Sequence, residues 1–195
     1  AEGQSDAAIR RIFTSSYINT WMSNLESQLL AIHPRMKIHQ ADYGHPYDYL
    51  SGPLNIVVTY SIPDYAIISD EEILITPFIA SGIFKRAMSH LYIDVSLEER
   101  QYQFRDRCSR EVSLSETVRL PWNVKTAYLP ATEMFSGTGA AFKGGVHVEG
   151  NTLTVSENLT FKKRIYDPED WDSFRKAVKA QKKIAEEPVI VNVSN

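Results

Sequence analysis

The sequence predicts an α+β fold: mainly antiparallel β-sheet in a sandwich-like arrangement, with one amphipathic helix near each end. Three patterns lead to this prediction: alternation of apolar and polar residues over 153–165, a capped helix directly after it, and a helical stripe between Ile18 and Ile32. A period of two is typical of a strand with one buried face, and steps of three and four residues are typical of a helix.

The C-terminal region predicts the order strand, helix, strand. Asp167 is the expected N-cap, Pro168 occupies the first helical position, and Pro188 ends the helix. A final strand is expected over residues 189–193, which are rich in valine. The helix carries an apolar stripe of Trp171, Phe174, Val178 and Ile184.

The N-terminal region predicts a lead-in, a helix and several strands. Residues 1–13 are expected to form an edge strand or a lead-in from a preceding domain, and Thr14-Ser15-Ser16 offers N-caps for the helix after them. That helix should end near His33, because Pro34 cannot continue it. Strands are expected over residues 36–43, 54–62 and 73–78, the last two as an antiparallel pair.

The middle of the chain predicts further strands. Residues 79–88 fit either a short helix or a loop, and apolar residues alternate with polar ones over 91–95. A longer alternation over residues 111–120 and a shorter one over 124–128 predict two more strands.

Glycines mark the region between residues 136 and 150. Gly137, Gly139, Gly144 and Gly145 predict a flexible loop over residues 136–145, with a bulge or a mobile tip at the last two. They do not predict a phosphate-binding loop, because neither GxxxxGK[ST] nor a strand-GxGxxG-helix context surrounds them. Gly150-Asn151 predicts a tight hairpin between residues 146–148 and the long strand.

Composition and charge narrow the class of protein. The chain of 195 residues has 43% hydrophobic and 23% charged residues, close to the average for a globular domain. We therefore expect a single domain over residues 1–195 that folds without disulfides or metal. The net charge of -3 gives no electrostatic basis for nucleic-acid binding, and no apolar run reaches the roughly 18 residues of a membrane span.

The chain starts Ala1-Glu2-Gly3-Gln4, without a methionine or the basic and apolar segments of a signal peptide. Either a signal peptide has been removed or the chain is a piece of a longer protein, and we expect the second. In that case Ile9, Ile12 and Phe13 are expected to face the preceding domain.

The single cysteine, Cys108, excludes an internal disulfide. Arg105, Arg107 and Arg110 lie close to it in sequence, and cations of this kind lower the pKa of a thiol. A catalytic thiol also needs a base and an oxyanion hole. Because Cys108 lies in a polar link before a strand, we interpret it as an ordinary thiol and predict no catalytic residue.

Histidines give the weak pattern of a metal site. His33, His39 and His45 are spaced by six residues, with Asp42 and Asp48 as extra oxygen donors. Metal ligands on one helix lie three or four residues apart and those on one strand lie two apart, so the spacing fits neither. We therefore predict no metal and no cofactor. His90 and His147 are isolated and are interpreted as surface or packed imidazoles.

Two acidic clusters and a group of tyrosines complete the candidates. Residues 70–72 and 98–99 are acidic, but adjacent residues on a strand point to opposite faces, so solvated turns are the preferred interpretation. Tyr43, Tyr47 and Tyr49 cluster in one loop and could form a platform for a glycan or a peptide. The alternative is ordinary aromatic contact with a sheet.

Several short motifs resemble one family. They are Ile73-Leu74-Ile75-Thr76-Pro77-Phe78, Glu98-Glu99-Arg100-Gln101-Tyr102-Gln103-Phe104, Val118-Arg119-Leu120-Pro121 and Ala127-Tyr128-Leu129-Pro130, followed by the long strand and the Asp-Pro-capped helix. Over most of residues 10–190 the chain resembles the C-terminal domain of unknown function that follows the transglutaminase-like core of large multidomain bacterial proteins. The family's usual aromatic-proline pair after Glu99-Arg100 is replaced here by Gln101-Tyr102.

The resemblance implies a non-catalytic accessory domain. Such a domain would support or orient the upstream transglutaminase-like domain, or recognise its partner, in a bacterial protein of the periplasm or the extracellular space. The Cys-His-Asp core of that family would lie upstream of Ala1, so the resemblance gives this chain no catalytic residue. The alternative is a stand-alone glycan- or peptide-binding β module, and the sequence does not define an oligomeric state.

Overall fold

The structure is a computed structural model that describes residues 2–79, 94–106 and 108–193. The chain divides into two compact units, Ala1–Tyr65 and Ala66–Asn195. The segment predicted as a short helix or loop, 79–88, and the alternation over 91–95 lie outside the described residues except at their ends, and His90 lies outside them altogether. No helix in the described part of the chain is long and apolar enough to cross a membrane.

The unit of residues 1–65 has helices α1 (Gly3–Thr14) and α2 (Trp21–Leu30), with a 3-10 turn at Ile18–Thr20 between them. Strands β1 (Lys37–Asp42) and β2 (Val57–Ser61) follow and pair antiparallel, with an irregularity between Ile38 and Gln40. The predicted pairing of residues 54–62 with 73–78 is therefore wrong. Strand β2 pairs with β1 instead, although the loop that joins β1 to β2 is longer than the segment between β2 and the strand at Glu72–Ile75.

The edge strand, one alternative predicted for residues 1–13, is wrong, since this segment is helix α1, and the lead-in from a preceding domain stays a prediction. In α1 the apolar residue Phe13 is buried. Ile9, which lies one helical turn before it on the same face, is half-buried. The sequence predicts that residues 14–16 cap the N-terminus of the following helix, but they form the C-terminal end of α1. Thr14 is the last residue of α1, and the hydroxyl of Ser16 donates back to the carbonyl of Ile12 at 2.8 Å.

A small aromatic cluster forms the core of this unit. Phe13, Trp21 and Leu54 are buried, and Ile9, Tyr43 and Ile56 pack against them. The apolar stripe predicted for residues 18–32 is only partly confirmed, because Trp21 is the buried residue of α2 whereas Ile18 and Met22 are exposed.

The unit of residues 66–195 contains two four-stranded antiparallel sheets, which confirms the predicted α+β class. The first has the order β6-β10-β9-β8, and the second has the order β3-β4-β12-β7. A two-residue pair, β5 with β11, lies apart from them. The strands are β3 (Ile67–Ile68), β4 (Glu72–Ile75), β5 (Phe104–Arg105), β6 (Arg110–Arg119), β7 (Val124–Tyr128), β8 (Glu133–Ser136), β9 (Ala140–Glu149), β10 (Thr152–Phe161), β11 (Ile165–Tyr166) and β12 (Val189–Val193).

The long alternating strand is confirmed as far as Phe161, and its hairpin is confirmed, whereas Ile165 belongs to the short strand β11. In β10 the odd positions from Leu153 to Phe161 are buried, and β10 pairs over ten residues with both β6 and β9. Gly150 has a φ of 59°, the left-handed conformation that the tight turn between β9 and β10 requires.

Helix α3 (Trp171–Glu186) covers the buried face of this sheet and contacts β8, β9 and β10. It is preceded by a 3-10 turn, Pro168–Asp170, in which the carboxylate of Asp170 accepts the amide of Asp167 at 3.0 Å. The predicted stripe is confirmed for Trp171, Phe174 and Ile184, whereas Val178 is only half-buried and Ala177 takes its place in the core.

The flexible loop predicted for residues 136–145 is wrong, because β9 begins at Ala140. The amide of Gly139 donates to Ser173 Oγ at 2.8 Å, and a Cβ on Gly139 would meet the same oxygen at 2.9 Å. A Cβ on Gly144 would lie 3.0 Å from the Cδ1 of Ile184. Gly139 and Gly144 thus allow α3 to pack closely against the sheet, and their role is close packing and not flexibility.

The segment before β5 contacts the start of α3 through Leu97 and Arg100. The guanidinium of Arg100 lies 4.8 Å from the ring centroid of Phe104 and 4.9 Å from that of Trp171. The indole nitrogen of Trp171 donates to the carbonyl of Leu97 at 3.0 Å. A cation between two aromatic faces is a favourable arrangement, so Arg100 has a structural use here.

Candidate functional site

Arg10 is a buried cation that organises the loop of residues 43–53, named here the tyrosine loop. Its side chain reaches out of α1 and is 1% exposed. It donates to the carbonyl oxygens of His45 (2.9 Å), Pro46 (3.3 Å), Asp48 (2.6 Å) and Gly52 (2.7 Å). One guanidinium thus replaces the regular backbone partners that this loop lacks.

Asp6, one turn before Arg10 on α1, completes the clamp. Its Oδ2 accepts the Nε of Arg10 at 2.7 Å, and its Oδ1 accepts the amide of Leu54 at 2.7 Å. The hydrogen bond from the Leu54 amide, together with the guanidinium of Arg10, lowers the pKa of Asp6 below its usual value. We call Asp6 and Arg10 together the α1 clamp.

The tip of the tyrosine loop is closed by Asp48. Its carboxylate accepts the hydroxyl of Ser51, the amide of Leu50 at 3.0 Å and the amide of Ser51 at 3.1 Å. These bonds, the Ser51 hydroxyl first, lower the pKa of Asp48. An aspartate that binds the amides two and three residues ahead fixes a turn, so the tip has one defined backbone path.

The clamped loop presents apolar and aromatic side chains to solvent. Tyr47 is 59% exposed, Tyr49 is 60% exposed and Leu50 is 97% exposed. Tyr47 stacks on Trp21 with ring centroids 6.3 Å apart, and the guanidinium of Arg10 lies 5.2 Å from the centroid of Tyr49. Each ring therefore has one face held by the protein and an edge or face open to a partner.

The sequence prediction for the three tyrosines is partly confirmed. Tyr47 and Tyr49 lie at the surface, but Tyr43 turns inward, with its ring 5.2 Å from that of Phe13 and 5.3 Å from that of Trp21. Burial raises the pKa of the Tyr43 hydroxyl. Tyr43 thus supports the loop, whereas Tyr47 and Tyr49 form its outer surface.

Sequence reasoning missed the α1 clamp. The signal that could have revealed it is the spacing of Asp6 and Arg10, which is typical of an ion pair on a helix. The expectation that Ile9, Ile12 and Phe13 face another domain is corrected, since Phe13 is buried, Ile9 packs beside it and Ile12 is the exposed residue of the three.

Cys108 is half-buried just before β6. Its neighbours Asp106 and Arg110 form an ion pair at 2.5 Å, and both side chains are largely buried. The positive charge of Arg110 is thus directed to a carboxylate. The prediction that Cys108 is an ordinary thiol stays a prediction.

His33 and His39, two of the three candidate metal ligands, contact different partners. The ring of His33 lies edge-on to Tyr65 with centroids 5.8 Å apart, and His39 Nε2 lies 2.9 Å from the hydroxyl of Ser61. The His39–Ser61 pair is exposed, so water competes for that hydrogen bond. His147 points to solvent from β9. Within residues 2–79, 94–106 and 108–193, no three His, Cys, Asp or Glu side chains form a group that could hold a metal ion.

The two acidic clusters lie at the surface. Residues 70–72 and 98–99 are all exposed, and only Glu72 belongs to a strand, at the beginning of β4. Residues 70–71 and 98–99 are thus solvated and lie outside the strands, as the sequence predicts, whereas Glu72 is an exposed strand residue.

These features define an α+β domain of antiparallel sheets with a helix packed on one of them and a clamped, aromatic surface loop in a separate compact unit. The chain belongs to the family described as "Domain of Unknown Function with solved-structure structure (DUF3858)", whose sequence pattern matches residues 72–191. The match lies within the unit of residues 66–195. The resemblance to a domain of unknown function is thereby confirmed, and the position of that domain after a transglutaminase-like core stays a prediction.

Two further comparisons complete the findings. No curated protein matches the chain. Among solved structures, one from Parabacteroides distasonis, described as a "putative protease", is similar to this chain at 16% identity and a TM-score of 0.46. The similarity covers 64% of this chain but 24% of that chain, so this chain spans about a quarter of that protein.

Proposed function

We propose that this chain is a non-catalytic accessory domain of a larger transglutaminase-like protein, and that its tyrosine loop contacts the transglutaminase-like domain of the same polypeptide. The observation that carries the proposal is the α1 clamp. It holds a loop of irregular backbone in one conformation while Tyr47, Tyr49 and Leu50 remain exposed.

A clamped loop with exposed aromatic residues is well suited to binding. A loop that is ordered before binding loses little conformational entropy when it binds, so more of the contact energy appears as affinity. Tyrosine provides a large contact area for few rotatable bonds, and serine and glycine beside it let the backbone approach a partner. Asp48, Ser51 and Gly52 already supply the turn, so the exposed side chains are free for the partner.

The choice of partner comes from the family resemblance. In the resembled proteins this domain follows a transglutaminase-like core, so the two would meet as domains of one chain. Such interfaces bury about 600–1,500 Å² and are more polar than the core of a domain. Tyrosine fits this chemistry, because its ring contributes apolar area and its hydroxyl can bond to a polar rim. We place the protein, on the same resemblance, in the bacterial periplasm or outside the cell.

The test is a titration of the isotope-labelled chain with the transglutaminase-like domain, followed by amide NMR shifts. We expect shifts at residues 43–53 and a Kd at least tenfold weaker for the double variant Tyr47→Ser, Tyr49→Ser, because each hot-spot tyrosine contributes about 1 kcal/mol or more. Tyr102→Ser is the control, since Tyr102 is an exposed tyrosine that lies in the other unit.

Two results would overturn the proposal. One is a wild-type titration that leaves residues 43–53 unshifted. The other is a double variant that binds as tightly as Tyr102→Ser while its own spectrum remains that of the folded chain.

The exposed rings of Tyr47 and Tyr49 also support a second candidate function, a stand-alone glycan- or peptide-binding module. Sugar rings and peptide side chains both pack on aromatic faces. Saturation-transfer NMR with soluble oligosaccharides and with peptides tests this candidate directly. Transfer that is lost in the Tyr47→Ser, Tyr49→Ser variant, without any response to the transglutaminase-like domain, would favour the second function over the first.

A further inference from the structure

A buried carboxyl group lies where helix α3 meets the four-stranded sheet. Glu157 belongs to β10, points to the same side as Val155 and Leu159, and is 2% exposed. Its Oε2 accepts the side-chain amide of Gln181 on α3 at 3.4 Å, which is long for a hydrogen bond, and its Oε1 has no hydrogen-bond partner among the residues that the structure describes. A carboxylate with so few donors is an unfavourable group in an apolar interior.

The groups around Glu157 come from three elements. Gln181 faces it from α3, Gly144 lies opposite on β9, and Leu114 lies opposite on β6. Glu116, two residues further along β6, lies close enough to add negative charge. Lys183, two residues after Gln181 on α3, is bound at 2.6 Å to Glu133 on β8. No cation faces Glu157 among the residues that the structure describes.

Glu116 itself is fully engaged. Its Oε1 accepts the amide of Phe78 at 3.0 Å and its Oε2 accepts the amide of Ile79 at 2.9 Å. Backbone donors of this kind stabilise the ionised form of a carboxyl group. Of the two acids on this face, Glu116 is thus suited to carry the charge and Glu157 is suited to carry a proton.

We propose that Glu157 is a proton-operated switch that sets how firmly helix α3 is held against the sheet. When Glu157 is protonated, its hydroxyl donates to the amide oxygen of Gln181 while its carbonyl oxygen accepts the amide nitrogen, which gives two hydrogen bonds between neutral groups. When the proton leaves to solvent, the carboxylate can only accept, so one bond is lost and a negative charge remains in the interface.

Burial first, and the charge of Glu116 in addition, raise the pKa of Glu157 from 4.5 to about 7. The folded chain therefore keeps this proton over a pH range in which the unfolded chain has released it. Folding stability from this group is fully present below pH 4.5, falls as pH rises towards 7, and is lost above it. The ratio of folded to unfolded chain should fall by a factor on the order of a hundred across that range.

The experiment compares the full chain with Glu157→Gln and Glu149→Gln by urea denaturation between pH 5 and pH 8.5. Glutamine resembles the protonated acid in shape and keeps a donor for Gln181, so Glu157→Gln should be the more stable protein at high pH and should lack the fall. Glu149 is exposed on β9 of the same sheet, and its variant should follow the wild type.

A second measurement keeps the proposal falsifiable if Glu157→Gln does not fold. The carboxyl carbon of Glu157 should titrate by NMR near neutral pH, and amide exchange of α3, corrected for intrinsic rates, should accelerate above that pH. A carboxyl carbon that titrates near the ordinary value, or α3 protection that is independent of pH, would overturn the switch. The same conclusion follows if wild type and Glu157→Gln respond to pH in parallel.

Discussion

The two units of this chain are stabilised by different kinds of contact. In residues 66–195, apolar side chains of β9, β10 and α3 meet across one layer, and Leu153, Val155, Phe174 and Ile184 are completely or almost completely buried. In residues 1–65, a charged residue, Arg10, donates several hydrogen bonds to a loop that is distant in sequence. The unit of residues 66–195 is stabilised mainly by the apolar area that it removes from water, and the unit of residues 1–65 depends on directional hydrogen bonds.

Size explains part of the difference. A unit of about 60 residues has a large surface for its volume and buries a smaller fraction of its apolar groups than a larger unit does. Residues 1–65 accordingly expose Tyr17, Ile18, Tyr47, Tyr49 and Leu50, while the buried cluster consists of Phe13, Trp21 and Leu54. In this unit the hydrogen bonds of Arg10 hold the tyrosine loop in place, which in a larger unit an apolar layer could do.

The two units should also differ in which amino-acid substitutions they tolerate. An apolar layer accepts substitutions that keep its volume, whereas a network of directional bonds fails when one donor is removed and its acceptors stay buried. We therefore expect the sheet–helix unit to be sensitive to volume and the N-terminal unit to be sensitive to chemistry.

The largest effect is expected for Trp171→Ala. The side chain is almost completely buried at the start of α3, so its removal should reduce the free energy of unfolding by about 3–5 kcal/mol. Urea denaturation measures this loss, and Lys179→Ala, an exposed position on the same helix, is the control. A loss below about 1 kcal/mol would show that α3 is peripheral to the unit.

An intermediate effect is expected for Arg10→Met. Methionine keeps most of the volume but leaves the carboxylate of Asp6 and several loop carbonyls without their donor, at a cost of about 3 kcal/mol. Hydrogen exchange should accelerate over residues 43–54 while β10 and α3 keep their protection. Arg11→Met is the matched control, because Arg11 is the exposed neighbour of Arg10. If both variants behave alike, the clamp does not stabilise the loop.

The smallest effect is expected for Leu50→Ala. Leu50 is the most exposed apolar residue of the loop, so its truncation should change the free energy of unfolding by less than about 0.5 kcal/mol. Leu54→Ala, four residues later and buried, should cost about 2–5 kcal/mol. A large loss for Leu50→Ala in thermal denaturation would mean that the loop surface belongs to the core of a folded or associated state.

Local patterns predicted the C-terminal part of the fold well. The alternation of β10, the turn at Gly150 and the Asp167-Pro168 helix start each depend on a few consecutive residues, and the structure has all three. Helix α1 was missed because its first residues are polar and its buried surface is small. Only contact with the loop makes Arg10 an interior residue, and residue type alone does not distinguish a buried arginine from an exposed one.

Contacts distant in sequence account for the other errors. One of the two partners of β4 is β12, more than a hundred residues later, and no local pattern identifies it. The glycines before and within β9 looked like a loop because their role, close approach of α3, depends on a helix that follows later in the chain. At the candidate site the tyrosines were visible in the sequence, but the clamp that orients them was not.

The position of β12 has a consequence for how the chain is made. This strand comes after all the other strands in the described sequence, yet it lies between β4 and β7 and pairs with both. During synthesis, β4 and β7 leave the ribosome long before their central partner exists, and at about 5–20 residues per second the delay lasts several seconds. In that interval both strands expose unpaired edges to neighbouring chains. The unit can therefore complete this sheet only once residues 189–193 have been synthesised, and a chain truncated before Val189 leaves these edges of β4 and β7 unpaired.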